Sequence, residues 1–264
     1  MNFWLRFALG LLSSALVAFA AHKKKALSGS GSISAAALGA MLTAFGGWEL
    51  WVLMILFFLS AGAAGLIAKR SRQHLATFKE HSGPRNIRQV AANGGPALLA
   101  VLLGYVTKNP VWLVSAAAAF SEATADTLAS ELGVLSKKPP VSIVTGKRME
   151  PGVSGAVSGF GFAMSFLGAL LIASVSWIPL RHLPSSFWII SLSGFLGSLI
   201  DSLLGATIQA KFRCNFCGAT VEKPHHHGQP ASHTGGWRIC GNNLVNFLSG
   251  LCAVVVSALL LLLF

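Results

Sequence analysis

Acidic side chains are nearly missing from this chain. Asp and Glu number 8 against 20 Lys and Arg, and the two Asp residues are Asp126 and Asp201. Charged residues of every kind make up 11%, where water-soluble domains carry about 25%. A chain of 264 residues with so few charges cannot cover a water-facing surface, and this excludes a soluble globular enzyme. Cysteine is also sparse, at 4 residues. Cys252 falls in an apolar run, and Cys214, Cys217 and Cys240 fall in one polar segment, so no disulfide scaffold is expected. Gly146-Lys147 lacks the upstream glycine of a P-loop, and no Gly-x-Gly-x-x-Gly opens a helix after a strand. The histidines cluster in loops, which leaves no Ser/His/Asp triad to assemble.

Apolar length is abundant. Hydrophobic residues reach 53%, mean hydropathy is +0.65, and several runs approach the ~20 residues that cross a ~30 Å hydrocarbon core. The expected fold is all-α, a polytopic transmembrane helical bundle forming a single integral membrane domain over 1–264, with one cytoplasmic Cys/His-rich hairpin at 211–242. Helices are expected near 3–21, 33–46, 48–68, 91–106, 111–133, 153–178, 186–209 and 243–264. The second is short for a crossing. Gly46-Gly47, Lys108-Asn109-Pro110 and Arg181 to Pro184 mark tight turns. Phe3 to Ala21 runs into Lys23-Lys24-Lys25 without a small-x-small cleavage pattern and reads as a retained span.

The net charge of +12 would suggest nucleic acid in a soluble protein. Here it falls on alternate loops, from Lys23, Lys24 and Lys25 through Lys79, Arg85, Arg88, Lys147 and Arg148 to Arg238, against Lys108 and Arg181 on the other side. Such asymmetry places the basic loops in the cytoplasm against anionic headgroups, with both termini outside and no role for nucleic acid. The location expected is the cell membrane.

Both Asp residues fall inside expected spans, where a carboxylate costs at least ~2.5 kcal/mol and marks a functional interior. Glu122 and Asp126 are four residues apart and share a helical face, which Ser130 continues and Gly133 ends. Asp201 sits among Gly194, Gly197, Ser198, Ser202 and Gly205, whose small side chains allow a neighbouring helix to come close. By the expected helix directions, Asp126 and Asp201 lie in the cytoplasmic halves. Asn93-Gly94-Gly95, Asn242, Asn243 and Asn246, and the Pro151-Gly152 stretch after Lys147 and Arg148, are expected to open helices on that face. Helix starts suit phosphate, and this gathering fits a Mg²⁺ ion bridging nucleotide phosphates. In the polar segment, Cys214-x-x-Cys217 precedes His225, His226, His227, His233 and Cys240. A structural Zn²⁺ would draw on Cys214, Cys217, His227 and Cys240, although the spacing equally suits a reduced hairpin without metal.

The run Ser121-Glu122-Ala123-Thr124-Ala125-Asp126-Thr127-Leu128-Ala129-Ser130-Glu131-Leu132-Gly133 resembles the hallmark of the integral membrane family called domain of unknown function 92, which includes transmembrane protein 19 and plant phytyl-phosphate kinase. Arg85-Asn86-Ile87-Arg88-Gln89-Val90-Ala91-Ala92-Asn93-Gly94-Gly95, Thr145-Gly146-Lys147-Arg148 with Pro151-Gly152, and Gly197-Ser198-Leu199-Ile200-Asp201-Ser202-Leu203-Leu204-Gly205-Ala206 are similar to its further motifs, and the Cys-x-x-Cys hairpin and Val245-Asn246 complete the order. The resemblance implies an isoprenyl-phosphate kinase, which moves a γ-phosphoryl group from CTP or ATP to a prenyl monophosphate such as phytyl or geranylgeranyl phosphate. On that reading Glu122, Asp126 and Asp201 hold Mg²⁺, Arg88, Lys147 and Arg148 clamp phosphates, and Asn93 and Asn246 fix oxygens. Membrane lipid surrounds the acceptor's tail. Gly241-Asn242-Asn243 stands where relatives often carry Asp-Asn-Asp, which removes acid from the last motif. The competing expectations are a transporter or flippase and a CTP-dependent lipid cytidylyltransferase.

Overall fold

A computed structural model describes residues 2–72, 83–180 and 185–263. Among the described residues, eight long helices and six short strands follow one another. The helices are α1 (Phe3–Lys23), α2 (Gly29–Gly46), α3 (Trp48–Arg72), α4 (Ile87–Thr107), α5 (Val111–Gly133), α6 (Gly159–Leu180), α7 (Ser186–Thr207) and α8 (Asn242–Leu263). Between α5 and α6 lie β1 (Val141–Ser142) and β2 (Ala156–Val157), and between α7 and α8 lie β3 (Lys211–Cys214), β4 (Thr220–Val221), β5 (His225–His226) and β6 (Gln229–Gly235). The expected turn at Arg181 to Pro184, and Lys79, lie outside the described residues.

Among the described residues, α1, α3, α4, α6, α7 and α8 are long and apolar enough to cross a membrane. The chain is a multi-pass membrane helical protein. The two remaining long helices differ for separate reasons. α2 is less apolar, with glycine or serine at five of its first six positions. α5 carries Glu122, Asp126 and Glu131, and its neighbours shield them: α3, α4, α6, α7 and α8 all pack on it. Every residue from Val114 to Ala125 is buried.

That packing rests on small side chains. Along α5, Ala116, Ala117, Ala118 and Ala119 present almost no bulk, so helices come close enough for backbone contacts. A Cβ on Gly168 of α6 would lie 2.9 Å from the Ala125 Cα, and one on Gly197 of α7 would lie 2.5 Å from the Glu122 Cγ. Large apolar residues face outward instead, among them Trp4, Leu16, Leu59, Leu66, Ile178 and Trp188. Lipid, unlike water, exacts no penalty for that outward display.

Three expected helix starts shift, each for a local reason. α2 begins at Gly29, where the Ser28 hydroxyl caps the Gly31 N–H at 3.1 Å. α4 begins at Ile87 because Asn86 and Gln89 form a capping box, with the Asn86 Oδ1 accepting from the Gln89 N–H at 3.3 Å and the Gln89 Oε1 accepting from the Asn86 N–H at 3.0 Å. Asn93, Gly94 and Gly95 therefore sit in the second and third turns and do not open the helix. α6 begins at Gly159 and not near 153. Gly152 and Gly155 hold φ of 84° and 82°, a left-handed conformation that stops a helix and turns the chain into the β1–β2 hairpin. Lys147 and Arg148 thus lie in a hairpin, Val141 bridging to Arg148, and do not sit at a helix start. The polar segment at 211–242 also exceeds a plain hairpin: its strands form an antiparallel sheet in the order β4-β3-β6-β5.

Candidate functional site

The basic loops meet at one end of the bundle. The α1–α2 turn is stitched to the start of α4 by Leu27 bridging Arg85, with the Ser28 N–H donating to the Arg85 carbonyl at 3.0 Å. Gly155 packs the β1–β2 hairpin onto Ala206 at the end of α7. The sheet is tethered where the Ala210 N–H donates to the Cys240 carbonyl at 2.7 Å and Gln209 bridges Trp237.

Beneath this end the carboxyls descend in steps. Asp126 is half-buried, Asp201 is 9% exposed, and Glu122, one turn deeper on α5, is 2% exposed. Asp201 comes from α7, held against α5 through Gly194 over Ser121 and Gly197 over Glu122. Ser249 of α8 links them. Its Oγ lies 2.8 Å from the Glu122 Oε1, 3.0 Å from the Asp201 Oδ2 and 3.0 Å from the Asn246 carbonyl. One hydroxyl proton cannot serve three acceptors, so a cation or a further proton must balance the group. Asp126 in turn pairs with Asp201. The carboxyls are strung in pairs and do not converge on one point. A single ion there would take one or two carboxylates and complete its shell from other oxygens, as Mg²⁺ does.

A second line of polar contacts runs from α8 to α4. The Asn246 Nδ2 donates to the Asn93 Oδ1 at 3.3 Å, and the Asn93 Nδ2 donates to the Gln89 carbonyl at 2.9 Å. Asn93 also borders an apolar cleft whose walls include Leu38, Met54, Phe57 and Phe58, with Arg85 at the same polar end. The Arg85 guanidinium stands over the Phe57 ring at 5.5 Å. Burial pulls its pKa below the usual value, and Glu131 works against that. Arg88, Lys147 and Arg148 are exposed at this end of the molecule.

A fourth acid stands over the carboxyls. Glu222, just past β4, is within electrostatic reach of Asp126 and Asp201. It accepts a short hydrogen bond from the Ser154 hydroxyl, which accepts from the buried Gln209 Nε2 at 2.8 Å. Lys211 is pulled below its usual pKa by burial and pushed back by Glu222.

In the sheet, the Cys217 Sγ is 3.5 Å from the His226 Nδ1, and ligand atoms of Cys214, Cys217 and His226 lie within 4.8 Å of one another. The Cys217 N–H, the His226 side chain and the Phe216 N–H together bring the Cys214 thiol down to about 7. The ligand set expected from spacing is corrected in two places. His227 takes φ 53° and packs its ring against that of His226, centroids 4.0 Å apart. Cys240 is buried just before α8 and lies outside the Cys214, Cys217 and His226 group.

Residues 12–254 match the family described as Integral membrane protein DUF92. The chain belongs to that family. It is 30% identical to Protein PGR of Arabidopsis thaliana, over 92% of this chain and 92% of that protein. It is 29% identical to an uncharacterised membrane protein of Methanocaldococcus jannaschii, over 80% of this chain and 87% of the other. An uncharacterised membrane protein of Synechocystis is 28% identical over 76% of this chain and 80% of its own length. No solved structure matches the chain.

The DUF92 match spans all the carboxyls of the site and the cleft beside them. Sequence reasoning singled out Glu122, Asp126, Asp201, Asn93 and Asn246, and the fold brings these together. It missed Ser249, Glu222, Ser154, Gln209, the cleft position of Arg85, and His226 as the partner of the thiols. The Asn246-x-x-Ser249-Gly250 spacing, one helical turn, was the available signal for Ser249.

Proposed function

We propose that this protein is a membrane isoprenyl-phosphate kinase working at its basic end, which faces the cytoplasm in the cell membrane. The observation that carries the reading is a junction. An apolar cleft ends in Arg85 and Asn93, and Asn93 connects through Asn246 to the Ser249, Glu122, Asp201 and Asp126 group. An apolar chain with a phosphate head fits one side of that junction, and the charged phosphates of a nucleotide, carried on a cation, fit the other.

The acceptor's tail lies against Leu38, Met54 and Phe57. Its phosphate meets Arg85 and Asn93, while Arg88, Lys147 and Arg148 gather the nucleotide's phosphates from solvent. The hard oxygen donors of Glu122, Asp126 and Asp201 suit Mg²⁺, which when bound neutralises phosphate charge during transfer. An acceptor phosphate oxygen forms a bond to the γ-phosphorus, and the bond from that phosphorus to the β–γ bridging oxygen breaks. A nucleoside diphosphate leaves. The acceptor is a phosphate monoester with a second pKa of about 6, so it arrives ionised and needs no strong base. The protein's contribution is position and charge.

Purified protein given geranylgeranyl phosphate, CTP or ATP and Mg²⁺ should form the diphosphate. Asp126→Asn and Asp201→Asn should each lower kcat on the order of 100-fold or more. Undiminished turnover in both variants removes the carboxylates from the reaction. Pyrophosphate release with a CMP-linked lipid would establish a cytidylyltransferase instead, and nucleotide-independent lipid movement in liposomes would establish a transporter.

A further inference from the structure

We propose that Cys214, Cys217 and His226 bind a zinc ion that pins the polar sheet over the carboxyl site. The inference rests on the sheet alone and stands whether or not the kinase reading does. β3 ends at Cys214, and the chain reverses at once, the Gly218 N–H donating to the Cys214 carbonyl at 2.9 Å and the Cys214 N–H to the Ala219 carbonyl at 2.9 Å. Gly218 makes the return with φ 74°, a conformation glycine adopts without strain. Around that turn the ligand atoms of Cys214, Cys217 and His226 lie within 4.8 Å of one another, and a thiolate is the form in which cysteine ligates metal.

The third ligand comes from elsewhere in the sheet. His226 lies on β5, which is separated from β3 by β6. An ion shared by the three would cross-link the tip of β3 to the far edge strand. The sheet needs such a link. Among the described residues, none of 211–235 belongs to a hydrophobic cluster of the bundle, and Phe212 and Cys214 are its buried apolar side chains. A unit of this size holds its shape through a metal or disulfides when it lacks a core. Two sulfurs and an imidazole nitrogen select a soft or borderline ion, and zinc takes them tetrahedrally. Among the described residues no fourth His, Cys, Asp or Glu joins this group, so solvent would complete the shell of a bound ion. Glu222 lies within the loop that the ion would close, so the same ion would hold that acid above Asp126 and Asp201.

The test uses the full-length protein in detergent, purified from zinc-supplied cells with any affinity tag removed. Metal analysis should find about one zinc per chain. Cys214→Ser, Cys217→Ser and His226→Ala should lose it, while His227→Ala and Cys240→Ser should keep it. Cobalt added to metal-free protein should give a thiolate-to-cobalt charge-transfer band that is absent from Cys214→Ser. Chelation should speed protease cleavage within 215–228, and added zinc should reverse it, with gel filtration confirming that each variant remains a folded bundle. Wild-type protein without zinc and without the cobalt band overturns the proposal. So does zinc retained in both Cys214→Ser and His226→Ala, and loss in His227→Ala or Cys240→Ser overturns the ligand assignment.

Discussion

Ser249 is a small group in a demanding position. It is fully buried on α8 and touches a carboxyl from α5 and another from α7, so it helps to set the separation of Glu122 and Asp201. Replacement by Ala would leave Glu122 and Asp201 facing each other without the hydroxyl. Hydrogen bonds to charged groups contribute about 1.5–3 kcal/mol, so Ser249→Ala should lower kcat/KM for prenyl-phosphate phosphorylation by roughly 10- to 100-fold. Ser257 on the same helix is a matched control. It too is fully buried, and it lies 3.4 Å from Ser115, toward the other end of the bundle. Ser257→Ala should leave the kinetics near wild type. Equal kinetics in the two variants would mean the hydroxyl has no part in the site.

At the scale of elements, the apolar runs were long, well bounded and easy to recognise, so all eight helices were expected where they lie. Their starts were harder to place, because caps are polar and fall outside the apolar pattern. The Asn86–Gln89 box moves α4 back by a turn, and the positive-φ glycines at 152 and 155 hold α6 off until Gly159. The sheet left little trace, since strands such as Gln229–Gly235 carry few of the β-branched residues that announce a strand. The pairing of Glu122 with Asp126 follows from helical spacing. Their meeting with Asp201 was hinted at by Gly194 and Gly197, but Ser249 and Glu222 depend on tertiary packing that no local pattern encodes. The β1–β2 hairpin tests this kind of packing. A Cβ on Gly155 would lie 2.5 Å from the Ala206 Cα, whereas one on Gly146 would meet nothing, though both glycines have positive φ, 82° and 67°. Gly146→Ala should therefore cost only the conformational term, about 1–2 kcal/mol. Gly155→Ala should add an overpacking cost of about 1–3 kcal/mol and push the hairpin off α7. Thermal unfolding in detergent reads the difference, and a Gly155→Ala protein no less stable than Gly146→Ala would show that the hairpin does not need this close approach.

Across the whole molecule, polarity is arranged from the centre outward. α5, which carries Glu122, Asp126 and Glu131, lies inside a ring formed by α3, α4, α6, α7 and α8, and the large side chains that a soluble protein would bury point at lipid. The bundle is also polarised along its length, because most of the described Lys and Arg gather at the end that carries the hairpin, the sheet and the mouth of the carboxyl site, while Lys108 marks the other. The positive-inside rule turns that asymmetry into an orientation, and the protein's own thiols make it measurable. Cys217 is exposed at the basic end, so a membrane-impermeant maleimide should not label the unaltered chain in intact cells and should label it once the membrane is opened and zinc is chelated. Cysteine introduced at Asn109, in the turn between α4 and α5, should react in intact cells. Cysteine at Thr145, in the β1–β2 hairpin, should react only after permeabilisation. If Thr145→Cys labels from outside while Asn109→Cys does not, the carboxyl site opens away from the cytoplasm, and a kinase drawing on cellular CTP or ATP could not work there.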